Sequence, residues 1–461
     1  MLNKKTAKKV LDTCLETGAD FADIFFESTT KNSIVMMDGH VEDVSTKLIY
    51  GAGIRILKEK QQVYGYTNDV SLEGLLDLAN RLNKTYNSKP LGIKFSLKEL
   101  KYVNKNPLDK LSKDIPNSEK ISLVKTVSDA MLNYDERIIQ GVASLSESTQ
   151  EVYIANTLGV YATDTRNIVR LGGRAIAKDK NGMQSSGENF GGNMSISAYK
   201  EYDLKGMAEE ACKSAITMLD APEMKGGTYD VVMHNGFGGV LFHEACGHSL
   251  EATSVAKGQS VFTGKMGEKI ASSVVTAIDD GSVPNAWGSS NIDDEGTPTQ
   301  KNVLIENGVL KSYMWDFADQ RRMEHPLTGS SRRESYKYSP TSRMTNTYID
   351  NGESTFEEII ENTKFGLFAR KMGGGSVNPV TGEFNFTVSE GYMIEDGKIT
   401  TPVRGAALIG NGKDTLFNID MVGNNRSFGH GVCGSASGSI PANVGQPTIR
   451  IKNMTVGGGR K

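Results

Sequence analysis

The chain has 461 residues, of which 38% are hydrophobic and 23% are charged, so it is long enough for two or three domains with a buried core. Its 52 basic and 55 acidic residues give a formal net charge of −3, which argues against a protein that coats nucleic acid or an anionic membrane. Four cysteines are too few for a disulfide framework, and the sequence contains no apolar run typical of a membrane span or a signal peptide. We therefore expect a soluble, cytoplasmic protein with neither nucleic acid nor membrane as a partner.

The first half of the chain alternates between helical and strand patterns. Apolar residues at three- and four-residue spacing predict helices over 4–16, 71–82, 118–133 and 204–219. Short β-rich runs predict strands at 22–26, 33–37, 47–56, 63–66, 143–146 and 152–155 and onward to 176, with turns such as Asp38-Gly39 and Asn181-Gly182. Residues 86–117 are rich in Lys, Pro and Asn and are expected to form a linker or crossing loop. These patterns predict an N-terminal α/β domain of mixed sheet and helices over 1–225, in one part or in two parts around that linker.

The second half of the chain has a different composition, which changes near residues 221–227 and marks the predicted domain boundary. Hairpins are predicted there, with turns at Asn307-Gly308 and Asp396-Gly397. Residues 226–461 should therefore form a C-terminal domain that is mostly antiparallel β. The fold class expected for the whole chain is α+β.

One segment of this second half carries the residue types of a metal-dependent hydrolase. His243, Glu244 and His248 form an HExxxH motif, in which two imidazoles can bind an ion and a carboxylate can take a proton from its water. On a regular helix, a five-residue spacing places the two imidazoles about 140° apart, too far to share one ion. The motif therefore predicts a metal-binding helix that is locally widened by a π-bulge, eased by Gly247. The alternative is two unrelated histidines on a core helix.

A tetrahedral catalytic site needs a third protein ligand as well as an open position. The residues alone leave the remaining histidines, the cysteines and many carboxylates open as candidates. Cys433, in the glycine-flanked segment 429–434, is either a thiolate ligand or a small buried apolar residue. Cys246 is expected to pack in the core. The acidic run 293–295 is interpreted as a solvated turn before Gly296 and not as a second metal site.

Seven ordered segments give the chain a resemblance to a known family. They are HEACGHSLEA (243–252), DDEGTP (293–298), GSSRRESY (329–336), RMTNTY (343–348), KMGGGSVNP (371–379), GVCG (431–434) and VGQPT (444–448). Together they resemble the TldD/PmbA family of zinc metallopeptidases, and HExxxH is typical of its TldD branch. The resemblance implies Zn²⁺ held by His243, His248 and Cys433, with Glu244 as the general base.

The resemblance also implies a mechanism, a class of substrate and a partner. A metal-activated water attacks a peptide carbonyl, and Glu244 carries the proton to the leaving amine. The implied substrates are short or unfolded peptides bound as an added strand. The implied assembly is a homodimer or a heterodimer with a PmbA/TldE-type subunit. Candidates to stabilise the oxyanion stay open, namely Arg332, Arg333, Tyr336 and His430.

Two other functions compete with this hypothesis. Enzymes of the dipeptidyl peptidase III type also carry HExxxH, but they need a downstream helix with paired glutamates, and no such segment follows His248. A non-catalytic regulatory or partner subunit, in the sense of the family's older description as a modulator of DNA gyrase, would be free to lose Glu244 or Cys433. Both residues are present in this chain.

Overall fold

A computed structural model describes residues 2–180, 182–378 and 381–459 of the protein. The N-terminal helices are α1 (Lys4–Cys14), α2 (Leu72–Asn83), α3 (Asn117–Leu132) and α4 (Leu204–Asp220). The N-terminal strands are β1 (Phe21–Met37), β2 (His40–Lys58), β3 (Gln61–Thr67), β4 (Lys98–Glu99), β5 (Ile138–Asn156), β6 (Val160–Asp179) and β7 (Gly182–Asn193). They form one sheet in the order β3-β2-β1-β5-β6-β4, and β7 also pairs with β6.

The two faces of this sheet differ in chemistry because successive side chains of a strand point to opposite sides. On β1, Ile24 and Ile34 point to the face that the helices cover, where α1 and α2 pack at one end and α3 and α4 at the other. Phe25 and Lys31 have the other parity and face the C-terminal half of the chain. The apolar part of this second face packs against residues such as Ile292, while its polar part borders a cavity.

The C-terminal half is built mainly from short helices and from strands. The helices are α5 (Val240–Ala245), α6 (Ala252–Val255), α7 (Phe317–Met323), α8 (Phe356–Glu361) and α9 (Gly412–Phe417). The strands are β8 (Gly227–Met233), β9 (Ala277–Asp280), β10 (Lys301–Glu306), β11 (Val309–Leu310), β12 (Ser331–Arg332), β13 (Thr341–Ser342), β14 (Asn346–Ile349), β15 (Phe365–Val377), β16 (Glu383–Glu395), β17 (Lys398–Val403), β18 (Ala407–Asn411), β19 (Ile419–Val422), β20 (Ser427–Ser435), β21 (Gly438–Gln446) and β22 (Ile449–Gly457).

Two larger sheets organise these strands. One has the order β11-β10-β9-β14-β21-β20, and the other has the order β15-β8-β22-β18-β16-β17 with β19 added on β22. A further pairing of β15 with β16 closes part of the second sheet into a ring. Most pairings are antiparallel, while β14–β21 and β15–β8 are parallel. The short helix α5 lies between the sheets, in contact with β14 and β21 of one and with β15 and β16 of the other.

The α+β class and three of the predicted turns are confirmed. Asp38, Asn307 and Asp396 have φ values of 50°, 48° and 48°, and the glycines that follow them have φ values of 80°, 82° and 74°. Positive φ at both central residues is what the tight hairpin turn of type I′ requires. The predicted Asn181-Gly182 turn involves Asn181, which lies outside the described residues. The domain boundary near residue 225 stays a prediction.

The prediction of several short N-terminal strands is wrong in one respect, because the structure has fewer and longer strands. The predicted strands 22–26 and 33–37 are parts of the 17-residue strand β1. Polar residues 27–32 interrupt the apolar pattern, but they still pair through their backbones with β2 on one side and β5 on the other. Backbone hydrogen bonds continue wherever both neighbours are present, and they do not need apolar side chains.

Candidate metal centre

The HExxxH segment is a broken helix and not a widened one. The regular helix α5 ends at Ala245, Cys246 takes φ −131° and ψ −48°, and a 3₁₀ turn spans Gly247–Leu250. The prediction of a π-bulge is therefore wrong, and the helix is interrupted at Cys246 instead. The break serves the same geometric purpose, because it rotates the second histidine back toward the first. The ring centroids of His243 and His248 lie 5.1 Å apart.

Gly247 makes this break possible through its lack of a side chain. A Cβ atom at this position would lie 2.3 Å from the sulfur of Met344, well inside the contact limit. Met344 is fully buried and precedes β14 in the chain. The close approach of the chain to Met344 fixes the turn that carries His248.

Cys433 reaches the two histidines from β20, far along the chain. Its sulfur lies 3.3 Å from Nε2 of His243 and 3.4 Å from Nε2 of His248. One donor atom from each residue lies within 4.8 Å of the others, and among the described residues this is the one such group of His, Cys, Asp or Glu. The structure thus brings together all three predicted ligands.

Glu251 orients the ring of His248 from behind. The Nδ1–H group of His248 donates to Oε2 of Glu251 over 3.2 Å, which directs Nε2 toward Cys433. Burial, the largest effect, lowers the pKa of His248, but Glu251 and then Cys433 outweigh it and raise the pKa to about 11. The field that favours a proton on this ring also favours a metal cation in its place.

Arg343 ties the cysteine strand to the histidine segment. Its guanidinium is fully buried and donates from Nη2 to the carbonyl oxygen of Cys433 over 2.6 Å. It also donates from Nη1 to the hydroxyl of Ser437 over 2.9 Å, and its Nε lies 3.8 Å from Oε1 of Glu251. Arg343 therefore connects Glu251, the hydrogen-bond partner of His248, with the backbone of Cys433.

His243 lies deeper than His248 and is 3% exposed. Burial holds its pKa well below the usual range, and the nearby His248 and Arg343 act in the same direction. A neutral imidazole is the form that binds a metal ion. Its Nδ1 atom has no hydrogen-bond partner among the described residues.

Glu244 lies beside this group without joining it. Its Oε2 is 3.8 Å from Nε2 of His248, and 30% of its side chain is exposed. Burial raises the pKa of Glu244, an effect that His248 opposes and Glu251 supports. A carboxylate with a raised pKa at the edge of a metal site is suited to accept and return a proton.

A cavity of about 220 Å³ opens in front of these residues. His243, Glu244 and Cys433 line it, together with apolar side chains and the glycines 373–375. These glycines form a bulge of β15, where the pairing with β16 shifts between Met372 and Gly375. A side chain at Gly375 would collide with Phe386, since a Cβ atom there would lie 2.1 Å from that ring.

The donor set fits a zinc ion. In tetrahedral coordination with Zn–S near 2.3 Å and Zn–N near 2.05 Å, nitrogen and sulfur ligands lie about 3.6 Å apart. The two observed separations of 3.3 and 3.4 Å are close to this value. Two imidazoles and a thiolate favour zinc over Mg²⁺ or Ca²⁺, which prefer oxygen ligands.

Other residues singled out from the sequence lie elsewhere. Cys246 is buried in the core and outside the cluster, as expected. The acidic run 293–295 is not a solvated turn, because all three residues are at most 5% exposed. Its carboxylates accept hydrogen bonds from backbone N–H groups or pair with arginines of the N-terminal sheet. The four residues considered for the oxyanion do not line the 220 Å³ cavity: Arg332, Arg333, Tyr336 and His430.

Sequence reasoning assigned no role to Glu251 and Arg343. The sequence could have indicated the role of Glu251, because it follows His248 by three residues and a carboxylate commonly accepts a hydrogen bond from a ligating histidine. Arg343 opens one of the seven resemblance segments. Its contact with the carbonyl of Cys433 could not be read from the order of the segments.

Comparisons with known proteins agree with this picture. Models for the first, central and C-terminal domains of the PmbA/TldA metallopeptidases match residues 22–84, 110–219 and 226–458. A protein of Haemophilus influenzae named as a TldD homolog metalloprotease is 37% identical, over 99% of this chain and 97% of its own. A metalloprotease of Methanocaldococcus jannaschii is 32% identical over 98% and 99% of the two chains. The chain therefore belongs to the PmbA/TldD family of metallopeptidases.

Solved structures show the same fold. TldE of Thermococcus kodakarensis superposes with a TM-score of 0.75 at 20% identity, over 98% of both chains. A protein of Thermotoga maritima, named as a candidate modulator of a DNA gyrase, superposes with a TM-score of 0.81 at 21% identity, over 98% of this chain and 99% of its own. At such identities the likeness concerns the fold alone. Within the described residues, no helix is both long and apolar enough to cross a membrane.

Proposed function

We propose that this protein is a zinc-dependent peptidase that hydrolyses peptide bonds in short or unfolded peptides. One observation carries the proposal, namely that donors from His243, His248 and Cys433 lie within 4.8 Å of one another, with Glu244 beside them on the same cavity. A relative in Saccharolobus solfataricus, 26% identical over 96% of this chain, is named a zinc metalloprotease, which supports zinc as the ion.

His243, His248 and Cys433 would hold the zinc ion next to the 220 Å³ cavity, which His243 and Cys433 line. When bound, zinc polarises a peptide carbonyl and makes a nearby water acidic enough to lose a proton near neutral pH. The remaining roles belong to side chains of the chain itself. Glu251 holds Nδ1 of His248 protonated, so that Nε2 presents its lone pair. Arg343 holds the carbonyl of Cys433 and so fixes the strand that supplies the thiolate.

Glu244 moves the proton in the proposed reaction. A carboxylate oxygen of Glu244 accepts a proton from the attacking water as the new C–O bond forms. The same oxygen gives the proton to the amide nitrogen as the C–N bond breaks, so that the product leaves as a neutral amine. The raised pKa of Glu244 brings its proton affinity closer to that of the groups it serves.

The proposed substrate lies extended across the cavity, as an added strand. The bulge at 373–375 leaves room there for a peptide backbone, since a side chain at Gly374 would meet none of the described residues within 4 Å. Binding through the backbone selects for unfolded chains and tolerates many sequences. We further propose that the active assembly is a homodimer or a heterodimer with a PmbA/TldE-type subunit, which the TldE fold neighbour supports.

Elemental analysis of purified protein tests the metal, alongside cleavage of an unstructured peptide. The variants are His248→Ala and Cys433→Ala, and Cys246→Ala is the matched control because this thiol is buried on the same segment but outside the cluster. We expect about one zinc per chain in the wild type and in Cys246→Ala, with loss in the other two variants. Cleavage should stop on treatment with a chelator. Zinc without cleavage would indicate that a partner subunit is missing, and a wild type that binds no metal would refute the proposal in favour of a regulatory subunit.

A further inference from the structure

A second and larger cavity lies between the N-terminal sheet and the C-terminal half of the chain. Its volume is about 450 Å³, and its walls come from β1, β2, β5 and β6 on one side and from residues between Trp287 and Pro441 on the other. Val432 lines this cavity and also the 220 Å³ cavity in front of the candidate metal centre. The two spaces therefore share a wall one residue from Cys433.

The sheet presents a polar face to this cavity. Cross-strand pairing places the lining side chains in rows across β2, β1, β5 and β6, since directly paired residues point to the same face. The rows are Ser45–Ser33–Ser146–Arg170 and Lys47–Lys31–Ser148–Ile168. This wall of serines and cations contrasts with the other face of the sheet, which packs in two apolar clusters beneath the helices.

Several of these cations have no acidic partner. Lys31 and Lys47 are paired directly across β1 and β2, an arrangement that costs stability unless another charge compensates it. Arg170 and Arg332 also line the cavity. Among the described residues, none of these four takes part in an ion pair within 4.0 Å.

Of the four acidic residues that line the cavity, two pair with cations and two accept hydrogen bonds from backbone N–H groups. Glu147 pairs with the buried Lys120 of α3. Asp293 accepts hydrogen bonds from backbone N–H groups of its own loop and of Ser331. Asp294 pairs with Arg166 over 2.7 Å, and Glu334 accepts from a backbone N–H group. Six cationic and four acidic side chains line the cavity, which therefore keeps an excess of positive charge.

The two arginines are held in place while their charge stays available. The guanidinium of Arg170 lies 5.2 Å from the ring centroid of Trp287, which in turn donates from its indole N–H to the carbonyl of Gly431 over 2.7 Å. Arg332 donates from Nη1 to the carbonyl of Met344 over 2.7 Å. Burial lowers the pKa of both arginines, that of Arg332 to about 10, because it removes water from the charged guanidinium groups. A bound anion would stabilise their charged form.

We propose that this cavity binds acidic side chains of the peptide substrate and makes the protein selective for glutamate- or aspartate-bearing chains. The proposal rests on the peptidase function proposed above and extends it to a substrate class. The serine hydroxyls beside the cations supply donors for carboxylate oxygens. A nucleic acid fits less well, because Trp287 is the aromatic residue of the lining and Arg170 already covers its ring.

Binding of a peptide that is not cleaved tests the proposal. The full-length Glu244→Gln variant is titrated with a fluorescein-labelled unstructured peptide that carries glutamates, and with its counterpart that carries glutamine at the same positions. We expect the glutamate peptide to bind about tenfold tighter or more at low salt, and the difference to shrink as salt is added. Moving the glutamates along the peptide shows at which position the negative charge contributes most to binding.

Substitutions in the cavity then assign the effect. In the same background, Arg170→Gln should lower affinity for the glutamate peptide about tenfold, and Lys31→Gln about threefold. Neither change should alter binding of the glutamine peptide. Lys31→Gln should also leave the protein at least as stable as before, because it removes a repulsion with Lys47. The matched control is Lys301→Gln, an exposed lysine of β10 outside the cavity.

Equal binding of the two peptides would overturn the proposal. An equal loss of affinity for the glutamate peptide in Lys301→Gln and in the cavity variants would overturn it as well. If an oligonucleotide of matched charge binds more tightly than the glutamate peptide and Arg170→Gln abolishes its binding, the ligand of the cavity is a nucleic acid and not a peptide. Failure of the peptidase function is distinguishable, because these measurements need neither metal nor cleavage. A protein that discriminates between the peptides but never cleaves either would keep this site and lose the proposed activity.

Discussion

Replacing Glu251 is expected to weaken zinc binding, although Glu251 is not one of the three clustered donors. Its side chain is 5% exposed and accepts the Nδ1–H group of His248 over 3.2 Å. Without this acceptor the ring of His248 is free to rotate or to take the other tautomer, and Nε2 no longer faces Cys433.

The expected size of the effect follows from what each substitution leaves behind. Loss of the outer partner of a ligating histidine costs about 10- to 100-fold in metal affinity, or about 1.4–2.7 kcal/mol. Glu251→Gln keeps an acceptor oxygen but loses the charge, so we expect the lower end of this range. Glu251→Ala removes the acceptor of His248 and the neighbour of Arg343 at once, so we expect the upper end.

Competition with a chelating indicator measures the zinc dissociation constant of each variant. Glu27→Gln serves as the control, because Glu27 is also a fully buried carboxylate that accepts a backbone N–H group, that of Tyr336, away from the metal centre. Unchanged zinc affinity in Glu251→Ala would refute the role given to Glu251. A loss of affinity accompanied by an equal loss of stability in the metal-free protein would assign the effect to folding instead.

Two further substitutions test the packing and the buried charges. Gly247→Ala should weaken zinc binding and cost about 1–3 kcal/mol of stability, because its Cβ would lie 2.3 Å from the sulfur of Met344; adding Met344→Ala should restore the affinity measured by zinc titration. Burial, and then Asp319, raises the pKa of Asp316 from 3.8 to about 6, so the stability this group contributes is present at low pH and lost as the pH rises through that window. As the pH rises from about 4 to about 6, Asp316→Asn should therefore gain stability relative to the wild type by about 2 kcal/mol in urea denaturation; an unchanged difference would contradict the raised pKa.

The candidate ligands could be named from the sequence because two of them belong to one short motif. Spacing alone left Cys433 open, since 185 residues separate it from His248, and only the resemblance to a family selected it. The shape of the motif was harder to predict. Helical periodicity assumes a continuous helix, whereas this helix ends before Cys246. The turn that follows depends on the close packing of Gly247 against Met344, and no local sequence pattern contains that contact.

The ion pairs between distant parts of the chain could not be predicted from the sequence either. The acidic run 293–295 resembles a solvated turn when its own neighbours alone are considered. In the folded chain, Arg55 of β2 pairs with Glu295 over 2.6 Å, and Arg166 of β6 pairs with Asp294. Burial of these carboxylates depends on cations more than a hundred residues away in sequence.

The same face of the N-terminal sheet thus carries two kinds of cation. Arg55 and Arg166 are buried in ion pairs with the C-terminal half, and breaking such a pair costs about 3–5 kcal/mol, although the pair itself adds little net stability. We expect these pairs to favour one docking position of the two halves over others. Arg170 lies four residues beyond Arg166 on the same face of β6, and among the described residues of the C-terminal half no carboxylate pairs with it. One face of β6 therefore carries an arginine that pairs with the C-terminal half and, four residues further on, an arginine that lines the 450 Å³ cavity, where an acidic substrate can neutralise its charge.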